Sequence, residues 1–442
     1  MVAPSDEQSS SRAPLPEGTI PVAIGLMVAG VTIYAFFKVG TDAVGGEVAF
    51  KPLQSLWFAT FALAPGFFLP LEQELGRALA HRRAVGQGGK PVVRKVLLIG
   101  AILVTLVVAV TLALSPWITE HYFDGNWVML FALVLAFASY APAHLARGIA
   151  SGNGRVRAYA IVMGADGVVR IVLCLVFAGV GIEGIGPYGL LVATSPLIGV
   201  AWVASRGQLR TNDGPPADWA EVTPNLGWLL LGSVFAAGLV NAGPMAATLL
   251  GDPSQSQLVS WFGYGVLMAR VPLFLFQAVQ AALLPRLSRL AARNELAEFR
   301  AGFRKLMLIV LAVGVFGTLA AYVLGPIVLE KVFKADLTNQ TMAMLALASA
   351  LYMVALAMAQ AVIALKGHAL VALGWGIGMA AFVITTGLAS DELFRRVELG
   401  LLASSIAAMI AFGIALRHKL ATGVVPTPDS VMDAITDMPF ES

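Results

Sequence analysis

Twelve long runs of apolar residues divide this chain, and they leave it no soluble fold. They lie at about 19–39, 53–77, 96–117, 126–148, 158–180, 187–204, 226–250, 258–284, 306–329, 341–365, 368–388 and 398–416. A helix of about twenty such residues crosses the roughly 30 Å hydrocarbon core of a bilayer. The bilayer offers no water to an unpaired peptide group, so each run must close its hydrogen bonds within itself. The expected fold class is an all-α integral membrane protein with twelve transmembrane helices. With 58% hydrophobic and 12% charged residues, a soluble domain of this length could not hide its apolar surface.

The basic residues set the orientation. Arg77, Arg82, Arg83, Lys90, Arg94 and Lys95 fall in one loop, Arg147, Arg155 and Arg157 in another, and Arg206 and Arg210 in a third. Arg286, Arg289, Arg293, Arg300, Arg304 and Lys305 continue the same side, followed by Lys366, Arg417 and Lys419. The opposite side carries only Lys38, Lys51, Lys331, Lys334, Arg395 and Arg396. Short loops rich in Lys and Arg stay in the cytoplasm. Both termini are therefore expected there, with the chain in the cytoplasmic membrane. The net charge of +3 is read as this topology signal rather than as a nucleic-acid footprint. Residues 1–18 are polar, with Asp6 and Glu7 where a secretory signal would be basic. Cys174 is the only cysteine, so no intrachain disulfide forms.

A weak duplication divides the chain. An offset of 207 matches Pro65 to Pro272 and Gln73 to Gln280, and a basic loop follows in each case. The expected organisation is a cytoplasmic tail (1–18), an N-lobe of six helices (19–204), a polar interlobe linker (205–225), a C-lobe of six helices (226–416) and a second tail (417–442). Parallel repeats of this kind are related by an axis along the membrane normal. The polar composition of both tails points to disorder.

Charges inside the runs are the candidates for function. Arg270 lies mid-membrane, where a charge costs about 2.5–3.5 kcal/mol on insertion scales. It meets an acid from another helix, snorkels to an edge, or faces a path for something anionic. Pro272 follows it by two and should break the helical hydrogen bonding beside it. Asp166 and Arg170 are four apart on one helical face. They form either a neutral pair or a cavity-facing pair whose carboxylate takes a coupling proton. Glu72 and Glu74 end the second run, as interfacial acids or as a gate that pairs with Arg77 or the other lobe. Asn241, Gln277, Gln280 and Gln360 bond between helices or contact sugar hydroxyls. The five histidines show no metal spacing, and no nucleophile with a base or ATP-binding motif is present, so no cofactor is expected.

The stretch Phe276 to Arg293, FQAVQAALLPRLSRLAAR, resembles the eighth-helix region of Wzx-type polysaccharide flippases of the MOP superfamily, with Leu284, Pro285, Leu287 and Ser288 on the Leu-Pro-x-Leu-Ser element. Ala146 to Arg170 and Phe68 to Arg83 are similar to further segments of that family. The resemblance implies a MATE-like pair of six-helix lobes around a V-shaped central cavity. It implies alternating access that moves a polyprenyl-(pyro)phosphate-linked oligosaccharide from the inner to the outer leaflet, for cell-surface polysaccharide assembly. Arg270 matches an arginine of related lipid II flippases that engages pyrophosphate. The implied site is Arg270, Arg170, Gln277, Gln280 and Asn241, with Asp166, Glu72 and Glu74 for ion coupling or gating and Pro65 and Pro272 as hinges. The implied partners are the lipid-linked glycan, membrane lipids and polysaccharide-assembly proteins such as glycosyltransferases. A MATE-type small-molecule exporter and a membrane glycan polymerase or ligase are the competing readings. The short outer loops weigh against the enzyme.

Overall fold

The computed structural model describes residues 19–422 apart from 225, 274, 275, 277–286, 288, 292 and 294, with side chains from 30 to 421. The first half comprises α1 (Thr19–Ala43), α2 (Glu47–Ala84), α3 (Lys90–Ala113), a short α4 (Ser115–Tyr122), α5 (Trp127–Gly152), α6 (Val156–Gly179) and α7 (Ile185–Ser205). The second comprises α8 (Leu226–Leu250), α9 (Ser256–Ala269), α10 (Leu296–Phe333), α11 (Asn339–Ala364), α12 (His368–Leu388) and α13 (Leu393–Thr422). No strand occurs among the described residues. Ten helices among them are long and apolar enough to cross a membrane, which makes this a multi-pass membrane protein. The first and eighth apolar runs fall outside that set. α1 holds the first, and α9 covers the start of the eighth, which continues into undescribed residues.

Local signals explain the boundaries. The Asn126 side chain accepts from the amides of Val128 and Met129 and caps α5, and Thr338 caps α11 through the Thr341 amide. The third run was expected to reach residue 117 as one helix. It breaks at Leu114 instead, and α4 begins with Pro116 in its first turn. A proline lacks the donor that an interior position needs, whereas a first turn needs none.

The duplication reappears in the packing. In the first half α2 packs on α5, α1 on α6, α5 on α7, and α6 on α7; in the second, α9 packs on α11, α8 on α12, α11 on α13, and α12 on α13. These are the same pairs at equivalent places in two six-helix lobes. α2 is the central element, with 72% of its apolar window buried against 17–22% for the peripheral α3, α6 and α10. The halves meet mainly through α2 against α8 and α9. At the α2–α8 crossing the Ser233 hydroxyl donates to the Pro65 carbonyl at 3.2 Å. Gly66 has no side chain here because a Cβ would stand 3.1 Å from the Val234 Cα. Nearer the α1–α2 turn, Thr41 and Tyr264 share a 2.8 Å hydrogen bond, and Ser260 donates to the Glu47 carbonyl at 2.9 Å.

The polar segment after α7 is an ordered strap on the first half. Arg82 on α2 donates to both Glu221 carboxylate oxygens and to the carbonyls of Gly88, Pro215 and Pro216. Lys90 pairs with Asp213 at 2.8 Å, and Arg77 donates to the Glu221 carbonyl at 2.7 Å. Gly88 and Gly214 touch backbone to backbone, and a side chain on either would collide with the other segment. A short 3-10 turn at Trp219–Glu221, closed by a capping box from Asp218, ends the strap.

Candidate substrate site

Arg270 sits where α9 stops. Its amide donates to the Leu267 carbonyl, three residues back, and helical backbone resumes at residue 271. Pro272, with no amide hydrogen to give, explains an interruption at this point. The Tyr34 hydroxyl of α1 also donates to the Leu267 carbonyl, at 3.0 Å, so the first half docks against the break.

Among the described residues the guanidinium finds only neutral acceptors. Arg270 Nη1 donates to Asn241 Oδ1 at 3.1 Å, and Nη2 donates to the Val240 carbonyl. Its Cζ lies 5.6 Å from the centroid of Phe58 on α2, within the range of a cation–π contact. The pocket around it belongs to the second half, between α8, α9, α11 and α13. Its walls are Leu239, Val266, Leu273, Leu345 and Leu401, with Ser349, Tyr352, Ser404 and Ser405 as the hydroxyl-bearing residues. The cavity measures about 40 Å³, room for about one water molecule.

The other candidates lie in the first half. Arg170 pairs with Asp166, and its Nη2 also donates to the Tyr140 hydroxyl at 3.2 Å. Ser195 donates to the same carboxylate. The guanidinium stacks over Trp57 and Phe61, 4.7 and 5.3 Å from their centroids. Arg170 and Arg270 therefore do not share a pocket: helix α2 stands between them. Glu72 accepts from Arg147 Nε at 3.0 Å and lies 2.8 Å from His144 Nδ1. Glu74 pairs with Arg77 at 2.7 Å. α2 runs unbroken through Pro65. Gln277 and Gln280 lie outside the described residues.

Sequence reasoning missed His144 and Arg147 as partners of Glu72, having assigned Arg147 to a loop. Their spacing of three puts both on one helical face, and that was the available signal. It also missed Tyr34 and Phe58, which α1 and α2 bring to Arg270, and Ser349, Tyr352 and the Ser404–Ser405 pair, which α11 and α13 bring there from distant parts of the chain. Among the described residues no group of His, Cys, Asp and Glu converges to hold a metal.

No family model and no curated protein sequence matches the chain. Solved structures do. The chain is similar to a point mutant of the Vibrio cholerae MATE transporter VcmN, at 17% identity and a TM-score of 0.66 over 92% of this chain and 97% of that one. It is similar to an inward-facing multidrug resistance MATE family transporter of the MOP superfamily, at 13% identity and a TM-score of 0.62 over 93% and 96% of the two chains. An outward-facing form gives 13% identity and a TM-score of 0.65 over 92% and 96%. The fold is thus that of the MATE transporters, a fold solved in both inward- and outward-facing forms.

Proposed function

We propose that this chain is a flippase that moves a polyprenyl-(pyro)phosphate-linked oligosaccharide from the inner to the outer leaflet of the cytoplasmic membrane, for cell-surface polysaccharide assembly. The observation that carries the reading is Arg270: a guanidinium in an apolar lobe, at a helix break beside the other half, with no carboxylate partner among the described residues. A charge kept there at a cost of a few kcal/mol calls for an anion that is present only part of the time. The phosphate headgroup meets Arg270 between the lobes, with Asn241 beside it and Gln277 and Gln280 farther along the same chain segment. The lipid tail stays in the bilayer. A 40 Å³ pocket is too small for any phosphate, so the headgroup enters only when the lobes part, by rocking about Pro65 and Pro272. Asp166 is the candidate for ion coupling, with Glu72 and Glu74 at the gate. Arg170, held by Asp166, joins the anion only if that pair opens.

A MATE-type small-molecule exporter is the second reading, favoured by the fold neighbours and by Asp166, whose side chain is 19% exposed. An unpaired guanidinium repels the cations that such an exporter would carry. The test is depletion in the host, extraction of lipid-linked sugars, and rescue. The flippase reading expects a lipid-linked glycan to build up in the inner leaflet and wild type to clear it while Arg270→Ala does not. If nothing builds up, the exporter reading takes over.

A further inference from the structure

Two charges stand out among the described residues: buried Glu398 and half-buried Arg270 form no ion pair, whereas every other buried charge does. Lys51 pairs with Asp124 at 2.9 Å, Arg82 with Glu221 at 2.8 Å, Arg147 with Glu72 at 2.9 Å, Arg77 with Glu74 at 2.7 Å, and Arg170 with Asp166. Glu398 on α13 is 3% exposed, and its Oε1 has no hydrogen-bond partner. It stands three residues before Leu401 and seven before Ser405, both in the wall of the Arg270 pocket. Helical spacing puts all three on one face, with about 10 Å of rise between Glu398 and Ser405. Glu398 also borders a 480 Å³ cavity at that end of α13, with Asp336, Glu392 and Arg395 on its walls.

Resting on the flippase reading above, we propose that the transported headgroup is a phosphodiester with one negative charge: a polyprenyl-monophosphate-linked sugar rather than a pyrophosphate-linked one. A single guanidinium neutralises one charge, and its fork matches the two non-ester oxygens that share it. A pyrophosphate diester brings two. The second charge meets a pocket of Leu, Val and Ala, where an uncompensated ion is strongly disfavoured. Tyr352 and Ser404 already donate to the Ala236 and Leu401 carbonyls, and the hydroxyl of Ser349 eases the holding of charge without changing its count. Glu398, farther along the same helix face, and Asp336 and Glu392 beyond it outnumber Arg395 among them and work against a dianion.

The experiment uses the full-length protein in liposomes with two fluorescent short-chain probes, a polyprenyl-phosphoryl-hexose and the matching polyprenyl-pyrophosphoryl-hexose. Quenching of the outer leaflet by dithionite reads the flipping rate. Wild type is expected to move the monophosphate at least about tenfold faster, the factor that about 1.4 kcal/mol supplies. Glu398→Gln takes a carboxyl away from that helix face and is expected to narrow that gap, and Arg270→Gln to abolish flipping of the monophosphate. Equal rates, a preference for the pyrophosphate, or a gap unchanged in Glu398→Gln overturns the monophosphate assignment and leaves the flippase standing. If neither lipid moves, the flippase reading itself falls, and the assignment with it.

Discussion

Arg170 and Arg270 stand against neighbouring residues of one helix, the first 4.7 Å from the ring centroid of Trp57 and the second 5.6 Å from that of Phe58. Successive helical residues point about 100° apart, so α2 presents one ring to each guanidinium. The two differ in what balances them. Arg170 has Asp166, whereas Arg270 has an amide oxygen and a backbone carbonyl. The first already has its counter-charge, and the second is the one that the proposed headgroup would meet.

Arg270→Ala is expected to cost transport without costing the fold. It removes an unpaired charge, so thermal unfolding in detergent should shift by less than about 1 kcal/mol, while clearance of the lipid-linked glycan falls at least about tenfold. Arg270→Lys should fall between, because an ammonium lacks the planar fork that reaches Asn241 and Val240 together. A large loss of stability in Arg270→Ala would mark the residue as structural.

Asp166→Asn is expected to do the reverse. It leaves Arg170 buried without a counter-charge, a loss of about 3–5 kcal/mol. The double variant Asp166→Asn with Arg170→Met should recover most of that stability. If the recovered protein has also lost the pH dependence of transport, Asp166 carries the coupling ion as well.

Ser55 on α2 and Thr248 on α8 place their hydroxyl oxygens 3.4 Å apart across the two halves. Cysteines at both positions should cross-link under mild oxidation. Transport should stop, then return on reduction. The native Cys174 is buried elsewhere and should not interfere. Full transport by the cross-linked protein would show that the halves do not part here.

Lys90 donates to Asp213 and holds its carboxyl below the usual carboxylate range. A depressed carboxylate contributes stability that is complete above its unfolded value, near 3.9, and is lost as pH falls through the lower folded value. Protection of the strap amides in hydrogen exchange should therefore hold above about pH 4 and fall below it, and Asp213→Asn should flatten that dependence. Asp213 is exposed, so salt should weaken the effect as well. Arg82→Ala removes five hydrogen bonds to strap and loop acceptors and should open the strap by at least about 2 kcal/mol at neutral pH.

The membrane spans were legible because apolar length is a one-dimensional signal, and the interruption at Arg270 because Pro272 announces it. The break at Leu114 was missed because Pro116 lies inside an otherwise continuous apolar run. Pairing across helices was the harder part. Glu74 and Arg77 are three apart and could be matched by spacing. Glu72 and Arg147 are 75 apart, and only the packing of α2 on α5 joins them. The polar segment before Asn225 reads as a linker by composition. That Arg82 binds it to one half rests on contacts more than a hundred residues apart.

That strap changes what the covalent connection between the halves is for. From Arg206 through Val222 the chain belongs to the first half, which leaves residues 223–225 as the only peptide link to α8. A cut there would yield two polypeptides, each a whole six-helix unit, with the connector retained intact on the first. Co-expressed, they should reassemble through α2, α8 and α9, as two separately encoded subunits would.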